Sequence, residues 1–326
     1  MTHLVLRARL SHDLHAWSQG ARAVPAVTFF IIFDWNGFMT GFKKWFAGLP
    51  DALRSTFQRI GGVSFAPAPL NVDIVGDSHI GKRRKSNQDA FWHDPILRAF
   101  AVADGMGGEN AGEVASTQAI QHVARLLGQA FREEGWIWPE TWPKAMSDAN
   151  LGLESALLRY VTLRAHEAIL RASQETPSWR GMGTTLTSGI IKGTTLFLSH
   201  VGDSRVYLLR RGQWRQLTRN QTRAQQLMDA RIVTEEVDPR HPTHSQLVSC
   251  VGGTNLEIQS HQESVERRDR ILFCTDGVYR PIPDERLSQM VDQQDFPLDK
   301  IVAQLIDDAN SRGGPDNITA LLVEVF

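Results

Sequence analysis

The sequence predicts an α+β domain over about 250 residues of its C-terminal part, and not a doubly wound parallel sheet. Three observations carry this expectation. Residues 110–130 and 144–172 repeat apolar side chains at three- and four-residue steps, which marks two long amphipathic helices. Residues 184–218 alternate with a period of two and break at Lys192-Gly193 and Arg211-Gly212, which marks a run of antiparallel strands with tight turns. The strands come in runs between pairs of helices, without the strict alternation that a parallel sheet requires.

The remaining elements follow in order. "AFAVAD" (99–104) is a short buried strand ending on an aspartate. In the first helix Val114, Ala115, Ala119, Ile120, Val123 and Leu127 share a face. In the second, Ala149, Leu153, Ala156, Leu157, Tyr160, Leu163 and Leu170 do so. "RILFCTD" (270–276) is another buried strand that ends on an aspartate. Residues 284–292 and 298–311 read as helices, and "NITALLVEV" (317–325) as a strand.

The chain has 326 residues, a net charge of −1 and an ordinary globular composition of 42% hydrophobic and 22% charged residues. The charge is uneven. Residues 1–70 carry seven Lys/Arg against three Asp/Glu, a net of +4, which leaves −5 for residues 71–326. An acidic body argues against a nucleic-acid partner and against a nuclease. "FAPAPLN" (65–71) has the composition of a linker, so the chain divides into a basic N-terminal extension, 1–70, and a domain at 71–326. The extension holds 11 of the 27 aromatic residues. Phe38, Phe42, Trp45, Phe46, Leu49, Leu53, Phe57 and Ile60 recur at helical spacing, with Lys43, Lys44, Arg54 and Arg59 largely between them. Such a segment suits docking on its own domain, on a partner or on an anionic membrane surface. No run reaches the roughly 18 apolar residues of a membrane helix. Residues 23–33 lack the pattern of a signal peptide. Cys250 and Cys274 offer neither a disulfide framework nor zinc spacing, which points to a reducing compartment and a cytoplasmic location.

The aspartates carry the chemistry. Asp104 ends an apolar run and precedes Gly105. Asp203 ends "LFLSHVG", Asp276 ends "ILFCT" and precedes Gly277, and Asp316 follows Gly313-Gly314-Pro315 and precedes Asn317. A fifth, Asp89, closes "RRKSNQD". Any one Asp-Gly reads as a turn. Several carboxylates fixed at strand ends read equally as a site where hard cations neutralise clustered anions, and magnesium or manganese prefer such oxygen ligands. The residues alone leave both readings open.

"GKRRKSNQDA", "VADGMGGENAGEVAS", "GTTL", "VGDSRVYLLRRGQWRQLT", "LFCTDGV" and "GGPDNITALLV" occur in this order over residues 73–326. Together they resemble the metal-dependent protein phosphatases of the type 2C serine/threonine family. The bacterial branch, some of whose members are encoded beside type VI secretion systems, is the most similar. The resemblance implies an α-β-β-α sandwich of two packed antiparallel sheets with a helix pair outside each. It implies Mn2+ or Mg2+ as cofactor, two ions with a weaker third. Asp104, Asp276 and Asp316 match ligands of the ion pair, Asp104 bridging it and Gly105 adding its carbonyl. Asp89 matches a residue that holds metal-bound waters. Asp203 matches a ligand of the third ion, shared with Asp276. Arg84 stands where the family grips phosphate, and Asn317 stands behind the ligands. Arg84, Asp89 and Asp104 are then the catalytic set. The implied reaction is hydrolysis of phosphoserine and phosphothreonine by a metal-bridging water, with a phosphorylated protein as substrate and a bacterial Ser/Thr kinase as the activity opposed. The alternative is a catalytically weak phosphoprotein-binding regulatory module of the same fold.

The chain departs from the family in two places. Gln88 stands where many members have Glu, and "LTRNQT" (217–222) puts Asn220 and Gln221 where an acid and a histidine usually stand. His122, His166, His200, His241 and His244 show no zinc spacing and suit surface or loop positions, although one near the cleft could serve as a general acid.

Overall fold

The computed structural model describes residues 70–326 except 133–134, 145–146, 148–150 and 234–240. The amphipathic segment expected within residues 1–70 lies outside the described residues, apart from Leu70. One sheet runs β1 (Val72–His79), β13 (Ile318–Val325), β12 (Arg270–Cys274), β9 (Arg205–Arg210) and β10 (Gln213–Gln216). The second runs β11 (Gln259–Ser264), β8 (Thr195–Val201), β7 (Leu186–Lys192), β3 (Ala99–Met106) and β2 (Asp89–Asp94), with the short β6 (Gly183–Thr184) on β3. A small ribbon of β4 (Phe131–Arg132) and β5 (Gly135–Trp136) stands apart. All of these pairings are antiparallel.

Successive strand residues point to opposite faces, so a strand buried on both sides feeds two cores. In β12, Ile271 and Phe273 face the other sheet while Leu272 and Cys274 face helices. In β3, Phe100 and Val102 face the first sheet while Ala99, Ala101 and Ala103 face α1 (Gly108–Ala130) and α2 (Leu153–Glu175). Phe100 meets Phe273 edge to face across the sheets, with ring centroids 4.9 Å apart. On the far side α4 (Asp276–Tyr279), α5 (Asp284–Val291) and α6 (Leu298–Ser311) cover the first sheet through Leu287, Ile301 and Leu305. Each such buried aliphatic side chain is worth about 1.5–3 kcal/mol. The result is the four-layer α-β-β-α sandwich. The short α3 (Arg223–Asp229) follows β10 and is capped by the Thr222 hydroxyl.

Two boundaries differ from the sequence reading. The second long helix begins at Leu153 and not near 144, because Gly152 takes φ 75°, which an α-helix cannot contain. β12 ends at Cys274, and Asp276 opens α4, where a carboxylate suits the exposed N–H groups of the first turn.

Candidate active site

The two sheets bring the aspartates to one end of the sandwich. The β2–β3 register sets Asp89 directly opposite Asp104. Asp104 is fixed through its backbone: its N–H donates to Thr185 Oγ1 at 2.9 Å, and its carbonyl accepts from Thr184 Oγ1 at 2.9 Å and Thr185 N at 2.8 Å. The "GTTL" segment is thus a clamp on the Asp104 strand. Asp89 Oδ2 accepts from two buried hydroxyls, Thr275 Oγ1 at 2.8 Å and Thr319 Oγ1 at 2.7 Å, which tie it to the other sheet.

The glycines after Asp104 and Asp276 serve close backbone packing. A Cβ on Gly105 would lie 2.0 Å from the Gly112 carbonyl oxygen, and one on Gly277 would lie 1.8 Å from that of Asn317. Any side chain at either place would push the preceding aspartate out of position.

Asp104, Asp203, Asp276 and Asp316 line one cleft of about 820 Å3, with Arg84 and Arg280 among its walls. Asp89 lies behind this lining. Arg84 Nη2 donates to Asp316 Oδ2 at 2.7 Å and is half exposed. Asn317 organises the segment that carries Arg84. Its amide donates to the Ile80 and Ser86 carbonyls, both at 2.9 Å, and its Oδ1 accepts from Gln88 N at 2.9 Å.

Burial and crowding act together on these acids. Burial pushes Asp104 well above the carboxylate range, and Asp89, Asp276, Asp203 and Asp316 push it further. Burial raises Asp276 to about 8, with Arg280 pulling down and the other acids pushing up. Asp89 is pushed up to about 7 by burial, against the pull of its two hydroxyl donors. Asp203 is also raised, mainly by burial. Such a cluster is charged in full only when cations enter it.

The groups that could face a cation here are all oxygens, the carboxylates of Asp89, Asp104, Asp203, Asp276 and Asp316 and the Gly105 carbonyl, a set of the kind Mg2+ and Mn2+ prefer. Among the described residues, no three His, Cys, Asp or Glu side chains converge to enclose a bare ion.

Residues 75–322 match the protein phosphatase 2C family. The chain belongs to this family. The phosphatase 2C chain is 33% identical over 261 residues to the serine/threonine protein phosphatase PstP of Mycobacterium tuberculosis, a match covering 80% of this chain and 46% of that relative. The chain therefore spans about half the length of the mycobacterial protein. The serine/threonine phosphatase stp of Listeria innocua is 33% identical over 75% of this chain and 92% of its own. The solved catalytic domain of PstP in complex with two manganese ions matches with a TM-score of 0.63 at 30% identity, over 78% of this chain and 99% of that one. PppA, a key regulatory component of the type VI secretion system in Pseudomonas aeruginosa, matches with a TM-score of 0.62 at 27% identity, over 78% and 98%.

The departures in the phosphatase 2C chain have structural partners. Gln88 Nε2 donates to the Gly108 carbonyl at 3.0 Å, a bond an ionised Glu could not make. Gln221 is buried. It accepts from Gly202 N at 2.8 Å and donates to the Glu257 carbonyl at 2.9 Å, which braces the turn before Asp203. Asn220 Oδ1 accepts from Arg205 Nε at 3.2 Å. His200 is in the core and not on the surface. Burial holds it down to about 4, with Nδ1 on Thr187. No histidine lines the cleft among the described residues. Sequence reasoning missed Thr275, Thr319 and Arg280, and it quoted "GTTL" without giving Thr184 and Thr185 a role. Of these threonines, Thr275 alone stands next to a site aspartate in the chain.

Proposed function

We propose that this chain is a metal-dependent phosphoprotein phosphatase that hydrolyses phosphoserine and phosphothreonine. The observation that carries the reading is the meeting of Asp104, Asp276, Asp316 and Asp203 with Arg84 in one cleft. The proposed ligands of the ion pair are Asp104, Asp276, Asp316 and the Gly105 carbonyl, with Asp89 behind them. The residues fit such ions, because an all-oxygen cluster whose acids resist ionisation needs cations to become fully charged. PstP, with its two manganese ions, supports the same cofactor here.

When bound, the ions lower the pKa of water and offset charge on the phosphoryl oxygens. Arg84 presents a planar fork able to hold two phosphate oxygens, and its half-exposed position on Asp316 puts it at the cleft mouth. Asn317 fixes the loop from which Arg84 reaches. Thr275 and Thr319 hold Asp89 in one orientation, and Thr184 and Thr185 hold Asp104.

The substrate is a phosphorylated protein, and the opposed activity a bacterial Ser/Thr kinase. The likeness to PppA supports a role in a regulatory phosphorylation circuit such as that of type VI secretion. Two free cysteines support a reducing, cytoplasmic setting. No described helix is long and apolar enough to cross a membrane. The alternative of a weakly catalytic binding module is disfavoured because every acid of the cluster is present. Residues 71–326 are proposed as the catalytic domain and 1–70 as a basic extension that contacts the domain, a partner or a membrane. Phosphate release from a phosphothreonine peptide with manganese, and its loss on chelation, tests the reading. Full turnover of metal-stripped protein in excess chelator overturns it.

A further inference from the structure

We propose that the Arg280 guanidinium takes the place of a third metal ion, so that this chain binds two divalent cations and supplies the next positive charge itself. The inference rests on the phosphatase reading above. Asp203 and Asp276 are the pair assigned to a third ion by resemblance, and Arg280 lies on both. Its Nε is 3.0 Å from Asp276 Oδ2 and its Nη2 is 3.4 Å from Asp203 Oδ2.

The guanidinium is built into the site. Arg280 follows Asp276 by one helical turn, and its N–H donates to the Asp276 carbonyl at 3.0 Å. The rest of the fork is used as well. Nη1 donates to Ser245 Oγ at 2.8 Å, and Nη2 to the His244 carbonyl at 3.2 Å. The Tyr279 hydroxyl donates to Asp203 Oδ2 at 3.3 Å, so that oxygen has two protein donors. The Tyr279 ring in turn lies under the Arg205 guanidinium, 3.8 Å from its centroid, which holds the ring in place.

A mobile ion between Asp203 and Asp276 would meet a fixed positive charge within contact distance and compete for oxygens already engaged. Arg cannot lose its proton under ordinary conditions, so the competitor is permanent. A chelator removes an ion but not a side chain. The site would then keep a cation at Asp203 at every metal concentration. The guanidinium also ties the acids to Ser245 of the cleft wall and to the backbone carbonyl before it.

Counting bound manganese on the full chain, by paramagnetic resonance of the free ion during titration, tests this without reference to turnover. Wild type is expected to saturate at two ions. Arg280→Ala is expected to gain one weaker ion, and Arg280→Ala with Asp203→Ala to return to two. Arg280→Gln, which keeps hydrogen bonding and drops the charge, is expected to behave like Arg280→Ala and serves if that variant does not fold. Three ions on wild type, or only two on a folded Arg280→Ala or Arg280→Gln, overturns the role of Arg280 and leaves the phosphatase reading standing. An unchanged ion count with a raised KM would make Arg280 a phosphate contact instead. Wild-type protein that binds no manganese overturns both.

Discussion

Asp89 and Asp104 face each other across β2 and β3, held there by the strand register itself. Asp89 is buried and Asp104 half-buried, and desolvation opposes the ionisation of each. The fold thus keeps repelling acids together whether or not a cation is present.

The first consequence is a pH-dependent stability of the metal-free protein. Asp89 and Asp276 ionise near 3.8 in an unfolded chain but near 7 and 8 in the folded one. Between those limits the folded state holds protons that the unfolded state has released. Stability is therefore greatest below about pH 4 as far as these groups are concerned, and falls as pH rises toward 8. Thermal melts in chelator are expected to move down from pH 5.5 to pH 8.5 (on the order of three pH units), and manganese to offset most of that fall. A metal-free melting point that rises over this range would contradict the assignment.

Asp104→Asn is expected to lower phosphatase activity by about 100-fold or more, since it puts a neutral amide where a carboxylate is proposed to hold the ions. The same change is expected to stabilise the metal-free protein, by an amount that grows with pH. It deletes a half-buried acid pressed by four neighbours. Paired melts of the variant and wild type in chelator at two pH values check the sign.

Arg84→Ala is expected to raise KM more than it lowers kcat. A charge-assisted contact contributes roughly 1.5–3 kcal/mol, so a loss of about 10- to 100-fold in kcat/KM is anticipated. Steady-state kinetics on a phosphopeptide decide it, and unchanged constants would place Arg84 outside the phosphate's reach.

Thr319→Val leaves Asp89 with one hydroxyl donor in place of two. Loss of such an outer partner typically costs about 10- to 100-fold in metal affinity or activity. Thr319→Ser keeps the donor and is expected to restore most of it, which separates the hydrogen bond from simple packing.

A chain beginning at Ala68 is expected to retain metal-dependent turnover of small phosphoesters. Residues from Ala68 onward form one compact unit, and Leu70 is buried in the core between the sheets. Starting a few residues later would open that core. A folded, manganese-binding but inactive truncation would assign the extension to the active site.

Much of this was legible in the sequence because the aspartates sit where periodicity ends. The alternation through 184–218 marked β7 to β10, and the helical face through Val123 and Leu127 marked α1. The start of α2 was not legible, since the apolar spacing before Leu153 continues a helical pattern that the conformation of Gly152 interrupts. Within the site, the acids stand out by their repeated grammar. Their supporting threonines do not, because Thr275 and Thr319 meet Asp89 only through pairing between residues far apart in the chain. Arg280 was passed over for a similar reason: one arginine at the end of a helix looks like surface until Asp203 arrives from the connection between β8 and β9.

Asn317 ties together backbone groups more than two hundred residues upstream, and β13 lies between β1 and β12 as the strand both pair with. During synthesis, the segment bearing Arg84 emerges long before the side chain that fixes it, and β1 waits for a partner until residues 318–325 have cleared the ribosome. The Arg84 segment and the first sheet are therefore completed together, by one and the same late-made stretch of chain.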